Sequence, residues 1–355
     1  KMKIKSINFY IFRSILKIFI IGSVIYPFLL FSVSTGSVSI NQLEFSPESA
    51  GVGAYSGKTG VISFDNPGSV SFTRSKSVSL IHGFHMNSFL GEGFTLLLPA
   101  QGAFSFGVEL KSLLSPKIDL YTGENISSGT GRYFSMGARL LLGFNIKDRV
   151  GFGFNLGYTG EFLPYIKSTD NIKFYKKNTF FVDAGFNIRI WKELYFGVNV
   201  NNIRVITLPY MYIRYKEEIF PLSLKTGPYY TYRFKKENSL IESFSLSANF
   251  YCKYEMIFRG IVGGEVKSRK FFGKMNVILR AGISFPEPYV VSGLRIGGGI
   301  IFKGLSVDIS YRPFLAAGNQ ILFSLKYSFI NKSLRRNSAI QEYNKDPLEN
   351  PLKIA

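Results

Sequence analysis

The amino-acid sequence predicts an all-β fold, a transmembrane antiparallel β-barrel of about fourteen strands. Three observations point to it. From residue 76 to 330, one short run after another alternates apolar with small or polar residues, and helical spacing is almost absent. That alternation marks half-buried strands. The second face of these runs is mostly Gly, Ser and Asn with single charges, and aromatic residues make up 16% of the chain, many of them on the apolar face. A water-soluble sandwich would turn a richly charged face outward, whereas a wall with lipid outside and a polar lumen inside fits this composition. The third observation is that turn residues divide the region into an even number of strands, as bacterial outer-membrane barrels require.

The strands are expected near 76–87, 92–99, 103–113, 132–146, 150–162, 179–190, 194–203, 220–234, 242–254, 259–268, 275–285, 292–302, 305–313 and 320–330. "AFSFGVELK", "VGFGFNLGY", "VDAGFNIRI" and "LYFGVNVNN" carry the alternation in the first half, and "FSLSANF" and "ILFSLKYSF" in the second. In "LSVDISYRPF", Leu305, Val307, Ile309 and Tyr311 face one way and Ser306, Asp308, Ser310 and Arg312 the other. The connections support the division. Every even-numbered one is short ("PAQG", "KDR", "WKE", "KKENSL", the segment around "SRKFFGK", and "KG"), and the long ones near 114–131, 163–178 and 204–219 are all odd-numbered. Short turns on one side of the membrane and longer loops on the other produce that parity.

The ends read differently. Residues 1–39 carry Lys1, Lys3, Lys5, Arg13 and Lys17, then an apolar run broken by Pro27, then the small-residue stretch "SVSTGSVS". This is the order of an export signal peptide. Residues 331–355 are polar and lack periodicity, as expected of a disordered tail, on the periplasmic side if the barrel lies in an outer membrane.

The net charge of +20 suits anionic lipid headgroups. Its Lys and Arg are spread singly through the chain instead of clustering, which argues against a nucleic-acid partner. A single cysteine, Cys252, excludes an internal disulfide and leaves no basis for a zinc site, and no cofactor motif is present. "GVGAYSGKTG" ends like a phosphate-binding loop, but Val52 stands where that loop needs glycine, and neither a strand before it nor a helix after it is indicated. His82 and His85, the only histidines, are three apart on a strand and so point to opposite faces, which argues against a shared metal or catalytic role. The chain is not expected to be an enzyme.

The glycine-rich "SAGVGAYSG" followed by "FDNPGSV" ahead of a hairpin-rich region resembles the FadL-type outer-membrane barrels and their porin V and porin Q-like relatives. Gly53, Ala54 and Tyr55 match the first element of that signature, and Asn66, Pro67 and Val70 the second. Gly68-Ser69 stands where Ala-Gly is usual, and the Gly57–Gly60 stretch replaces an acidic one. The resemblance implies that residues 40–75 form a hatch inside the lumen of a barrel at 76–330. It further implies a cell outer membrane of Gram-negative or spirochaete type, with outer-membrane lipids as neighbours. Two functions follow from it. One is a channel that passes hydrophobic or amphipathic small molecules through a lateral opening. The other is a non-transporting or porin V-like barrel with an envelope or secretion-system partner.

Two further features bear on the site. Alternation places Lys111, Arg139, Arg189, Arg280, Arg295, Arg312 and Lys326 on the lumen face with Glu109, Asp183, Glu265 and Asp308. These residues either attract a carboxylate-bearing amphiphile or pair with one another and with the hatch. Pro228 in "KTGPYYTY" lacks a ladder donor, so either a bulge or kink in the wall or a strand edge is expected there.

Overall fold

The computed structural model describes residues 66–329 apart from position 74 and the stretches 86–87, 100–102, 122–126, 169–170, 210–221, 235–238, 254–256, 270–274, 286–292 and 315–317. The expected signal peptide, Gly53, Ala54, Tyr55 and the tail lie outside the described residues. A four-residue helix, α1 (Pro67–Val70), precedes β1 (Ser77–His85), β2 (Phe89–Pro99), β3 (Phe104–Leu114), β4 (Ile118–Tyr121) and β5 (Ser127–Gly131). Then come β6 (Phe134–Ile146), β7 (Val150–Ser168), β8 (Asn171–Trp191), β9 (Leu194–Pro209), β10 (Ser223–Arg233) and β11 (Ile241–Lys253). The series ends with β12 (Ile257–Ser268), β13 (Met275–Phe285), β14 (Leu294–Phe302), β15 (Leu305–Phe314) and β16 (Gly318–Ser328).

Fourteen of these strands close into an antiparallel barrel in which β1 pairs with both β2 and β16, and each expected strand coincides with one of them. The seam between β1 and β16 is continuous from Phe84↔Ile321 to Ser77↔Ser328, and Phe329 N donates to Lys76 O at 2.8 Å just beyond it. The described turns of one rim, at 147–149, 192–193 and 303–304, are tight. At Lys303-Gly304, φ is +47° and +92°, the geometry of a two-residue I′ hairpin whose twist matches that of the strands.

The long connections depart from expectation. Residues 118–131 contain the small β4–β5 hairpin, which is not part of the barrel. Much of the expected loop at 163–178 is strand, since β7 and β8 stay paired up to Ser168↔Asn171. Above the lipid both faces of a strand meet water, so the apolar alternation that reveals a transmembrane strand no longer applies.

The wall is apolar outside and polar inside. Along β7, Phe152, Phe154 and Leu156 are 38%, 54% and 49% exposed, while Gly151, Gly153, Asn155, Gly157 and Thr159 between them are buried. Aromatic pairs ring the short-turn rim, among them Phe104–Phe144 and Phe152–Phe186, with ring centroids 5.0 and 5.2 Å apart. Closing the sheet is how strands satisfy their backbone hydrogen bonds in lipid. Leu279, 64% exposed in the middle of β13, faces the bilayer, so Leu279→Arg is expected to cost about 2–4 kcal/mol of folding free energy in lipid vesicles. A urea titration read by heat-modifiable gel mobility checks this, and a neutral result would mean the faces are reversed.

Candidate functional site

The described part of the N-terminal segment lies inside the barrel. Asn66 caps α1 through a bond from Gly68 N to its Oδ1 at 2.9 Å, and Pro67 occupies the first helical position, where its missing N–H costs nothing. Ser69 and Ser71 hydroxyls donate to the Asn66 and Gly68 carbonyls at 2.8 and 2.7 Å, so this single turn satisfies much of its own backbone. It rests on the inner faces of β6, β7 and β8. Val70 is fully buried against Leu97 and Leu141, Asn145 Nδ2 donates to Ser71 O at 3.2 Å, and the Phe72 ring meets Tyr195 edge-on at 6.0 Å.

Wall glycines make this close approach possible. A Cβ on Gly153 would overlap the Pro67 carbonyl, and one on Gly185 would stand 2.6 Å from Gly68 N. In the other direction, a Cβ on Gly68 would come within 2.8 Å of the Phe186 Cα. The motif residues Asn66 and Pro67 therefore start a helical turn seated in a glycine cradle. The Asn-cap and Pro at the first position were the sequence signal for that turn.

The wall itself is irregular at β9. Val182 pairs with Arg204 but Ala184 pairs with Val200, so one residue of β8, Asp183, stands opposite Asn201, Asn202 and Ile203. Asn202 has φ +59°, a conformation Asn tolerates better than most residues, and its N–H donates to the Asp183 carboxylate at 2.8 Å. Asn199 Nδ2 donates to Asn201 Oδ1 at 2.8 Å and Asn201 Nδ2 to Ser223 Oγ at 3.3 Å. On its other side β9 pairs with β10 in one register from Leu194↔Tyr230 to Asn201↔Ser223 within the described residues. Asp183, expected as a lumen charge, is thus the anchor of a wall bulge. Pro228, where a bulge was an open expectation, drops out of the β10–β11 ladder together with Gly227, while Thr226↔Phe250 and Tyr229↔Ser247 keep one register. The proline costs a hydrogen bond and leaves the strand unbulged.

The other lumen charges fall into groups. Arg280 Nε donates to Glu265 at 2.8 Å and its Nη1 to Asp308 at 2.7 Å, while Ser306 Oγ donates to the other Asp308 oxygen at 2.6 Å. Arg280 on β13 reaches Asp308 on β15 across β14, where Gly297 and Gly299 take the positions between them, and a Cβ on Gly299 would collide with the Asp308 carboxylate. On the opposite wall Glu109 lies 3.0 Å from Lys111 and 3.7 Å from Arg139, whose guanidinium also sits 5.3 Å from the centre of the Phe181 ring. Arg295 and Arg312 are buried on the inner faces of β14 and β15. Arg312 pairs in register with Gln320, whose amide nitrogen lies 2.9 Å from His85 Nδ1. Lys326 is a half-buried inner-face residue of β16. Arg189 does something else. From the short-turn rim it donates through Nε and Nη2 to the Lys192 carbonyl at 3.0 and 2.8 Å, closing the β8–β9 turn. Among the described residues no group of His, Cys, Asp and Glu could hold a metal ion.

A closed fourteen-strand barrel with an apolar exterior, a charged and glycine-lined interior and an N-terminal turn docked within defines the class, a membrane-spanning β-barrel of FadL-type fold. Solved structures agree on the fold. The chain superposes on the CymD monoaromatic hydrocarbon channel with a TM-score of 0.53 at 10% identity, covering 82% of this chain and 100% of that one. The Ralstonia pickettii toluene transporter TbuX gives 0.51 at 10% identity over 81% and 98%. The Pseudomonas putida toluene transporter TodX gives 0.50 at 10% identity over 79% and 96%. No protein-family model and no curated protein sequence matches the chain.

Proposed function

We propose that this chain is an outer-membrane channel for hydrophobic or amphipathic small molecules, which leave its lumen sideways through the wall at β9. In this reading residues 1–39 direct export, the segment 40–75 seals the lumen against straight passage, and the short-turn rim and the tail 331–355 face the periplasm. The carrying observation is the bulge at Asn201–Ile203. It interrupts the β8–β9 ladder by setting three residues of β9 against one of β8. By strand rise and tilt the bulge lies roughly 20 Å above the short-turn rim, within the ~25 Å apolar band, where an apolar solute can pass directly into lipid. The hydrocarbon channels and toluene transporters of the same fold support the solute class. The ion pairs Arg280–Asp308 and Arg139–Glu109 support a bracing role for the lumen charges over a carboxylate-binding one.

Deleting Asn202 and Ile203 tests the route. From Ala184↔Val200 to Arg189↔Tyr195 the pair numbers on β8 and β9 sum to a constant, and removing two residues places Asn201 opposite Asp183 and carries that register on through the bulge. Uptake of a radiolabelled aromatic hydrocarbon by cells making this variant is expected to fall to that of cells lacking the protein, with heat-modifiable mobility retained. Unchanged uptake overturns the lateral route. Absence of uptake by the intact barrel, with stable co-purification of other envelope proteins, would favour the secretion-associated alternative.

A further inference from the structure

The positive charge of the chain is concentrated on one rim. The turns "KDR", "WKE", "RFKKENS", "SRKFFGK" and "KG" carry ten Lys and Arg against three acids, while the longer connections near 114–131, 163–178 and 204–219 carry eight against five. Five of the six connections on the short-turn rim thus hold cations, and Lys76 adds one where the β1–β16 seam closes. The acids there are already engaged in part, Glu193 lying 3.5 Å from Arg233 and Glu242 2.9 Å from Lys267. Among the described residues, Lys147, Arg149, Lys192 and Lys303 are exposed and form no ion pair. These cations lie just beyond the aromatic pairs of the outer wall. Lys147 follows Phe144 by three residues and Arg149 precedes Phe152 by three, and Lys303 Nζ stands 5.2 Å from the centre of the Phe302 ring. Aromatic belts sit at headgroup level, so the next step out along each strand reaches the phosphates.

We propose that the short-turn rim is a binding surface for the anionic phospholipid headgroups of the leaflet it meets. The cations run around the circumference, from β6–β7 through β14–β15 to the seam, whereas a protein partner would cover one arc. A headgroup plane meets the whole circle at one depth. At that plane water gives way to hydrocarbon, so an ammonium or guanidinium attracts a phosphate more strongly than it does in bulk solvent. A lysine stem can lie along the aromatic belt while its charged end reaches the phosphate, the arrangement that Lys303 and Phe302 already approach. A zwitterionic headgroup brings its own cation and gains little from the contact, which makes the rim selective for net negative charge. The rim keeps this role whichever solute the lumen passes.

Trp191, the sequence's single tryptophan, reports on this surface. It is 60% exposed at the end of β8 beside Lys192, and Arg189 N, two residues back, donates to Arg149 O at 2.7 Å. Its fluorescence is measured for the full chain in vesicles of equal phosphatidylglycerol and phosphatidylcholine, with a nitroxide near the headgroup end of the acyl chain on one lipid or the other. Quenching is expected to show about a fivefold preference for phosphatidylglycerol at low ionic strength, falling to near parity in about 1 M salt. Lys147→Asn/Arg149→Gln/Lys192→Gln is expected to abolish the preference while the barrel stays heat-modifiable, and Lys192→Gln alone to lower it partway. Lys117→Gln/Arg132→Gln/Lys176→Gln removes three exposed cations from the opposite end and is expected to leave it unchanged. Equal quenching by the two lipids in the wild type, a preference that survives high salt or the rim substitutions, or one that is lost with the opposite-end substitutions would each overturn the proposal.

Discussion

Removing residues 40–75, with the export signal left in place, is expected to give a barrel that still folds but conducts ions across a planar bilayer at least on the order of ten times more than the intact protein. The strands begin after the deleted segment, so closure of the sheet does not depend on it. A fourteen-strand barrel is too wide for its own side chains to fill, and this wall gives up still more volume at Gly151, Gly153 and Gly185, where α1 sits. Two substitutions separate loss of the segment from loss of its seat. Gly185→Leu would occupy the space of Asn66 Oδ1 and Gly68 N and lift the turn off the wall, raising conductance by less than the deletion does. Asn66→Ala removes the cap bond while leaving the cradle intact, and should act more weakly again. Equal conductance in deleted and intact barrels would show that the segment contributes no seal.

Arg280→Leu is expected to lower stability by about 3–5 kcal/mol, because it strands Glu265 and Asp308 in the wall without their shared cation. The Arg280 and Asp308 side chains are 2% and 0% exposed, so water does little to compensate. Arg280→Lys keeps the charge but not the fork that reaches both carboxylates, and should recover only part of the loss. Neutralising the whole group, Arg280→Leu with Glu265→Gln and Asp308→Asn, is expected to restore most of it, since the cost lies in the unpaired charges. Guanidinium unfolding in detergent micelles, followed by heat-modifiable mobility, measures all three. If the single variant is as stable as the wild type, the three residues do not brace the wall.

All fourteen transmembrane strands were legible because lipid favours apolar residues at outward positions, and "LSVDISYRPF" keeps to this over its whole length. Where lipid ends, the signal ends too. The upper parts of β7 and β8 read as loop through Pro164 and the lysines around 173–177, yet they stay paired up to Ser168↔Asn171, with one register shift after Ile166. The β4–β5 hairpin, with "IDLY" against "SSGTG", is too short and too rich in glycine for any periodicity to show. In the site, alternation assigned the faces of Arg280 and Asp308, but not the bond between them, which spans three strands. The bulge left a mark in Asn201-Asn202, since asparagine readily adopts positive φ, but that mark is weak beside a proline. Pro228 drew attention because its missing donor is certain; how a sheet absorbs the loss depends on neighbours that the sequence does not display.

The β1–β16 seam has a consequence for how the molecule is made. His85 and Gln320, neighbours across it, are 235 residues apart in the chain. No earlier pairing can stand in for this one, so closure waits until the last strand has been delivered. Until then the nascent sheet has two open edges, and any segment destined for the interior can still settle sideways onto the glycine cradle. Once Phe329 bonds to Lys76 that access is gone. A chain cut short before β16 would be left as an open, self-adhesive ribbon, so assembly favours docking the N-terminal turn first and zipping the wall shut around it.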